Sequence, residues 1–112
     1  MSDPAAVATA YFAAITAHDA DAVAACFTAD AELITAAGIF RGPAEIGDFY
    51  RQNAFQFEDL RPTPGPLLVD GDRVAVEIDL FMAGATTPVA DFFTVEGDRI
   101  RRLVIYMAPL PR

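Results

Sequence analysis

The feature that most constrains the fold is a set of alternating apolar runs in the last third of the chain, separated by glycine turns. Asp70-Gly71-Asp72 stands between Leu67–Val69 and Arg73–Met82, and the second run places Val74, Val76, Ile78, Leu80 and Met82 on one face and Glu77 and Asp79 on the other. Successive strand side chains point to opposite faces, so a period of two around an Asp-Gly turn predicts a half-buried hairpin. A turn at Gly84 leads to Pro88–Glu96, and another at Gly97-Asp98 leads to Arg99–Met107. Pro62, Pro64, Gly65 and Pro66 read as a break before this region. The pattern predicts an antiparallel meander of three or four long strands, whose apolar face needs a cover.

The first half of the chain supplies that cover. Asp3 followed by Pro4 is an N-cap with proline in the first helical position, and Val7, Tyr11, Ala14, Ile15 and His18 recur at helical spacing, which predicts a helix over about residues 4–17. Asp19 acts as a second cap, with Val23, Cys26 and Phe27 as the stripe of a shorter helix ending near Thr28. From Ala31 to Thr35 the spacing shifts toward strand. Gly42-Pro43 starts a third helix, with Ile46, Phe49, Tyr50 and Asn53 on one face, running to about Gln52 or Ala54. Two to three helices followed by strands give an α+β fold, with the helices gathered on one face of a curved sheet. No repeat or linker interrupts the 112 residues, so residues 1–112 are expected to form one domain.

Charge and residue supply exclude several kinds of function. Sixteen acidic residues oppose eight basic ones, all arginine, for a net charge of −8. Such a surface repels phosphate and anionic lipid, which argues against nucleic acid and membrane surfaces as partners. The cluster Arg99, Arg101 and Arg102 reads as a solvated strand or a protein interface. One cysteine and one histidine provide neither a disulfide framework nor a Cys/His zinc site, and no acidic loop of the calcium type is present, so neither metal nor cofactor is expected. The N-terminus shows no charged segment followed by a long apolar one, which is the pattern of a cytoplasmic protein. Abundant alanine and an arginine-only basic set suggest a bacterial genome rich in G and C.

Against this background Asp91 is the informative residue, because it alternates on a strand face with Val89, Phe93 and Val95. Facing inward, it is a carboxyl group in apolar surroundings, held protonated or gripped by strong donors. Facing a strand edge, it satisfies a nearby amide or pairs with an arginine such as Arg102. Tyr11 and Tyr50 lie on the apolar stripes of their helices, where core packing is the ordinary role. Thr35, Phe27, Phe40, Phe49, Phe55, Phe57, Met82, Leu103 and Met107 supply more apolar surface than closing a core requires, which suits a pocket or a dimer interface. His18 reads as a helix-end residue favoured by the dipole, Cys26 as a small core residue, and Glu77 and Asp79 as solvated.

Three stretches carry a resemblance: AYFAAITAHDADAVAACFTADAEL at 10–33, FRGPAEIGDFY at 40–50 and VADFFTVEGDRIRRLVIY at 89–106. In order and spacing the chain resembles the NTF2-like superfamily, and within it the ketosteroid isomerase and SnoaL-like group, over about residues 4–107. The resemblance implies a cone: a strongly bent mixed sheet and three N-terminal helices around an apolar pocket open at one end. It assigns Tyr11 and Asp91 to an oxyanion hole, Tyr50 to a supporting hydroxyl, and Phe27, Phe49, Phe93, Leu103 and Met107 to the pocket wall, beside Met82. The protonated, donating behaviour implied for Asp91 is that of ketosteroid isomerase itself and is carried over from it. Where that group has a general-base aspartate this chain has Thr35, and Glu32, three residues away on a strand, points to the opposite face. The implied function is isomerase, cyclase or lyase chemistry on a small hydrophobic ketone, enol or phenol, such as a steroid or polyketide. A non-catalytic ligand-binding or assembly module is the alternative. The resemblance also implies a homodimer joined through the outer sheet face.

Overall fold

In the computed structural model, which describes residues 3–108, the Asp3 carboxylate accepts the Ala6 N–H (3.2 Å) and opens α1, Pro4–Thr16. This helix ends in two crossed bonds: the His18 N–H reaches the Ile15 carbonyl (3.0 Å) and the Asp19 N–H reaches that of Ala14 (3.1 Å). The closure needs a left-handed residue, and His18 takes it at φ +53°. Asp19 then caps α2, Ala20–Ala25, by accepting the Ala22 N–H (3.0 Å).

α2 stops earlier than the expected end near Thr28. Its C-cap is Cys26, whose carbonyl accepts the Ile100 N–H (2.7 Å), so pairing with the last strand claims the backbone there. Phe27 therefore opens a strand, β1, Phe27–Thr35, instead of completing a helical stripe. A short β2, Gly38–Arg41, folds back on β1 and leads into α3, Gly42–Gln52. A 3-10 turn, Ala54–Gln56, precedes β3, Arg61–Pro64, and β4, Leu68–Asp70. Then come β5, Arg73–Met82, β6, Ala85–Glu96, and β7, Arg99–Met107.

The seven strands form one curved sheet in the order β2-β1-β7-β6-β5-β3, with β4 also paired to β5. β1 runs parallel to β7 and every other pairing is antiparallel, so the sheet is mixed. The expected meander of three or four strands is thus its larger half. The proline-rich stretch expected to be a break contains β3 instead, because an edge strand has no partner on one side to miss the N–H of Pro62 and Pro64. β6 begins three residues before the expected Pro88. The Pro88 carbonyl takes the Ala108 N–H (2.9 Å), which puts its missing N–H on the side where β7 has just ended.

The inner face of the sheet carries Val74, Val76, Ile78, Val89, Phe93, Val95, Ile100 and Leu103, all buried, against Val7, Ala8 and Phe12 of α1 and Ile46 of α3. Burial of this apolar face is the main favourable term holding the sheet against the helices. Glu77 and Asp79 are exposed on the outer face. Among the described residues no helix is long and apolar enough to cross a membrane.

Candidate active site

Between the helices and the sheet lies a cavity of about 310 Å³. Tyr11, Phe12 and Ile15 of α1 form one wall, Phe49 and Tyr50 of α3 a second, and Ile78, Leu80, Met82, Val89, Asp91, Ile105 and Met107 of the sheet a third. Thr35, at the end of β1, and Asn53 add the remaining polar side chains. The rest of the wall, including Phe57, Leu60 and Pro62, is apolar.

Helical spacing brings the two tyrosines inward, and the approach of α1 to α3 brings them together: their hydroxyls share a hydrogen bond, with the rings edge-on at 6.3 Å. Both are almost fully buried, at 3% and 4% exposure. Burial, followed by the neighbouring Tyr50 and Asp91, pushes the Tyr11 hydroxyl well above its ordinary pKa, and burial also raises that of Tyr50. At neutral pH both are protonated. Two hydroxyls carry two protons and their mutual bond uses one, so one O–H remains to donate.

Asp91 lies in the interior of the sheet and not at an edge. β5 and β7 flank it, with Val76 and Ile105 opposite in register, while Arg102 pairs with Thr94 and Glu32. Its exposure is 3%, and its buried Oδ1 has no hydrogen-bond partner among the described residues. Burial raises its carboxyl pKa to about 7. A carboxyl group that changes charge near neutrality can donate when protonated and accept a proton when ionised.

The Thr35 Oγ1 accepts the Ala37 N–H (3.0 Å), fixing the β1–β2 turn at the rim. Glu32 pairs with Arg41 (3.4 Å) and does not line the cavity. Among the cavity-lining residues Asp91 carries the one carboxyl group. No group of three His, Cys, Asp or Glu among the described residues is arranged to hold a metal ion.

Of the side chains expected in the pocket wall, Phe49, Met82 and Met107 line the cavity, whereas Phe27, Phe93 and Leu103 do not. These three are core residues, each no more than 1% exposed. Alternation fixes the face of a strand but not the depth along it, and at their depth the α1 aromatics already cover the sheet. Phe93 meets the rings of Tyr11 (5.4 Å) and Phe12 (5.8 Å), and Phe27 meets Tyr11 (6.2 Å), all edge-on. They hold Tyr11 from beneath. Sequence reasoning passed over Phe12, Leu80, Val89 and Ile105. Leu80 and Val89 carried a usable signal, since both alternate on the inner face near the turn at Gly84.

Comparison with known proteins decides the family. The family model for the SnoaL-like domain matches residues 8–103. The chain belongs to the SnoaL-like domain family. Its fold is shared with an NTF2-like protein from Cytophaga hutchinsonii, which superposes with a TM-score of 0.82 at 14% identity, covering 97% of this chain and 93% of the other. A proposed ketosteroid isomerase from Kribbella flavida superposes with a TM-score of 0.86 at 20% identity, covering 97% of this chain and 80% of the other. A proposed polyketide cyclase from Sinorhizobium meliloti gives 0.79 at 24% identity, with 90% and 94% covered. TerC, co-crystallised with polyporic acid, gives 0.81 at 18% identity, with 94% and 91% covered. Curated proteins give no sequence match to this SnoaL-like chain.

Proposed function

We propose that this SnoaL-like protein binds a hydrophobic molecule carrying a ketone, enol or phenol oxygen and catalyses isomerase, cyclase or lyase chemistry on it. One observation carries the reading: a buried carboxyl oxygen of Asp91, without a partner among the described residues, shares a largely apolar cavity with a tyrosine pair that has one O–H to spare. Unsatisfied buried polar groups are costly, and a ligand oxygen relieves the cost here. Tyr11 and Asp91 are the donors to that oxygen, and Tyr50 supports Tyr11. The wall of Phe49, Met82 and Met107 holds the apolar body, with Thr35 at the rim. No cofactor enters the reading.

For turnover, a proton must leave carbon as negative charge develops on the ligand oxygen. The two forms of Asp91 have separate roles. Protonated, it donates to the bound oxygen beside Tyr11. Ionised, it takes the proton from carbon and later returns it to another carbon, with the tyrosine hydroxyl then the donor that steadies the oxygen. General-base action contributes roughly 10²- to 10⁴-fold and a positioned oxyanion donor about 10²- to 10³-fold. That a polyketide cyclase and a ketosteroid isomerase are proposed for proteins of this fold supports the reaction class as analogy. Comparing 2-naphthol with naphthalene by fluorescence titration tests the oxygen site. The hydroxyl is expected to tighten binding roughly tenfold or more, and Tyr11→Phe or Asp91→Asn to remove most of that gain. Equal affinities for the two probes in the unmodified protein would overturn the assignment.

Thr35 favours a second reading, a binding module without turnover, because a threonine stands where ketosteroid isomerases carry their base. Proton exchange at the carbon beside a bound ketone, followed by NMR in deuterated water, separates the two: exchange supports the enzyme and its absence the module.

The outer face supports association of two copies. Leu68, Ala75, Phe92, Val104, Ile34 and Ile39 stand opposite one another in register from β4 across to β2, forming an apolar row over the whole sheet. Leu68 and Ile39 are 69% and 49% exposed, and Tyr106 stacks edge-on against Phe92 at 5.7 Å. The adjacent row, Arg73, Thr94, Arg102, Glu32 and Arg41, is polar and carries charges of both signs, as the rim of a self-complementary interface requires. A homodimer joined through this face is the proposed assembly.

A further inference from the structure

The open end of the cavity is marked by lining residues that are also exposed, among them Asn53, Phe57 and Met107. One border is the segment 53–60, which joins α3 to β3, and next to it lies the tip of the β5–β6 hairpin at Ala83 and Gly84. The segment is secured in two chemically different ways. At one point the Phe55 ring sits between His18 (5.0 Å, nearly parallel) and Tyr50 (5.4 Å), and the Nε2–H of the same histidine donates to the Leu60 carbonyl (2.7 Å). At the other, the Asp59 carboxylate accepts the N–H groups of Ala83 (3.0 Å) and Gly84 (2.8 Å).

Both hairpin residues are left-handed, at φ +54° and +77°. Such a pair suits a two-residue turn and turns successive N–H groups toward one anion, but alanine adopts this conformation reluctantly. The bonds from Gly84 and Ala83 hold the Asp59 carboxyl below its ordinary pKa. Asp59, Ala83 and Gly84 are exposed, so water replaces these bonds at little cost, while the Phe55 stack is half-buried. Phe57 lies between the two attachments, aromatic, exposed and on the cavity wall.

We propose that residues 53–60 form an entrance gate to the cavity, in which the clasp between Asp59 and the Ala83–Gly84 turn is the latch and Phe57 is the part that moves aside. Opening breaks the exposed latch and swings residues 56–59 outward between the two points that His18 holds, the Phe55 ring and the Leu60 carbonyl. The latch governs passage in both directions and leaves the bound state untouched.

Stopped-flow fluorescence with naphthalene tests the gate, because that probe needs none of the polar groups of the oxygen site and the chain has no tryptophan to interfere. Asp59→Ala is expected to raise association and dissociation rates together, roughly fivefold each, with affinity changed less than about twofold. The double variant Asp59→Ala/Ala83→Gly relaxes the strained alanine, so it keeps the hairpin stable if the single variant folds poorly, and it should show the same fast rates. Amide exchange should quicken within residues 53–60 and stay unchanged in β6. An unchanged association rate, a faster dissociation rate alone, or no binding of naphthalene would each overturn the gate. Failure of the oxygen site would appear separately, as 2-naphthol binding no tighter than naphthalene while the rates still respond to Asp59.

Discussion

The hydroxyls of Tyr11 and Tyr50, 39 residues apart in sequence and on different helices, are hydrogen bonded to each other in the wall of a largely apolar cavity. Each is the other's partner within the protein, so they respond to substitution as a unit. Tyr50→Phe leaves the Tyr11 hydroxyl alone in a buried place and is expected to cost about 1–3 kcal/mol of stability. Tyr11→Phe/Tyr50→Phe should cost clearly less than the two single changes added together, because no hydroxyl is then stranded. Urea unfolding of the four proteins measures this; strict additivity would refute it.

Asp91 ties stability to pH in an unusual direction. Its carboxyl pKa is about 7 in the folded protein against an ordinary value of 3.8, so between these values the native state holds a proton that the unfolded chain has released. The contribution is complete below pH 4, declines as pH rises to about 7, and is level above, amounting to at most about 4 kcal/mol. Asp91→Asn should flatten this slope and be more stable than the unmodified protein at pH 8. Urea unfolding at pH 5 and pH 8 checks it, and equal slopes for both proteins would count against a raised Asp91 pKa.

Thr35 offers a gain-of-function experiment. It faces the cavity at the end of β1 and already accepts the Ala37 N–H, a role that an aspartate fills equally well. Thr35→Asp should therefore fold and add a second carboxylate to the wall. The conversion of a β,γ-unsaturated ketosteroid to its conjugated isomer is expected to accelerate about 10²-fold, followed by ultraviolet absorbance. No gain in a folded variant would show that Thr35 is not where a base is needed.

Phe92 lies near the middle of the outer apolar row. Phe92→Arg places a charge there without disturbing the inner core, and should convert a dimer of twice 12.0 kDa into a 12.0 kDa monomer in light scattering. A 12.0 kDa mass for the unmodified protein would remove the dimer from consideration.

How much of this was legible in the sequence depended on which force set each element. Caps and turns were local, so Asp3, Asp19 and Gly42-Pro43 marked their helices, and β5 and β7 have the expected limits. Elements set by distant pairing were misread: Phe27 joined a strand because of β7, and Pro62 and Pro64 were tolerated because of their place at the edge. In the site, the alternation around Asp91 gave a choice of two surroundings, and the position of β6 between two other strands selected the interior one. Depth in the cone had no sequence signal. For that reason the sequence places Phe27, Phe93 and Leu103 in the wall, whereas all three are core residues and Phe27 and Phe93 pack against the Tyr11 ring. The segment 53–60 was equally opaque, since its two attachments rest on bonds from Asp59 and His18 to residues 24 to 42 positions away.

The prolines of β3 bear on aggregation as well as on reading the fold. An edge strand ordinarily offers N–H groups on which another chain can begin a fibril, and at Pro62 and Pro64 those donors do not exist. Replacing both with valine would restore a continuous ladder of donors along this edge, at the expense of Pro62's place in the cavity wall. The opposite margin would still be blunted, because β2 there is only four residues long.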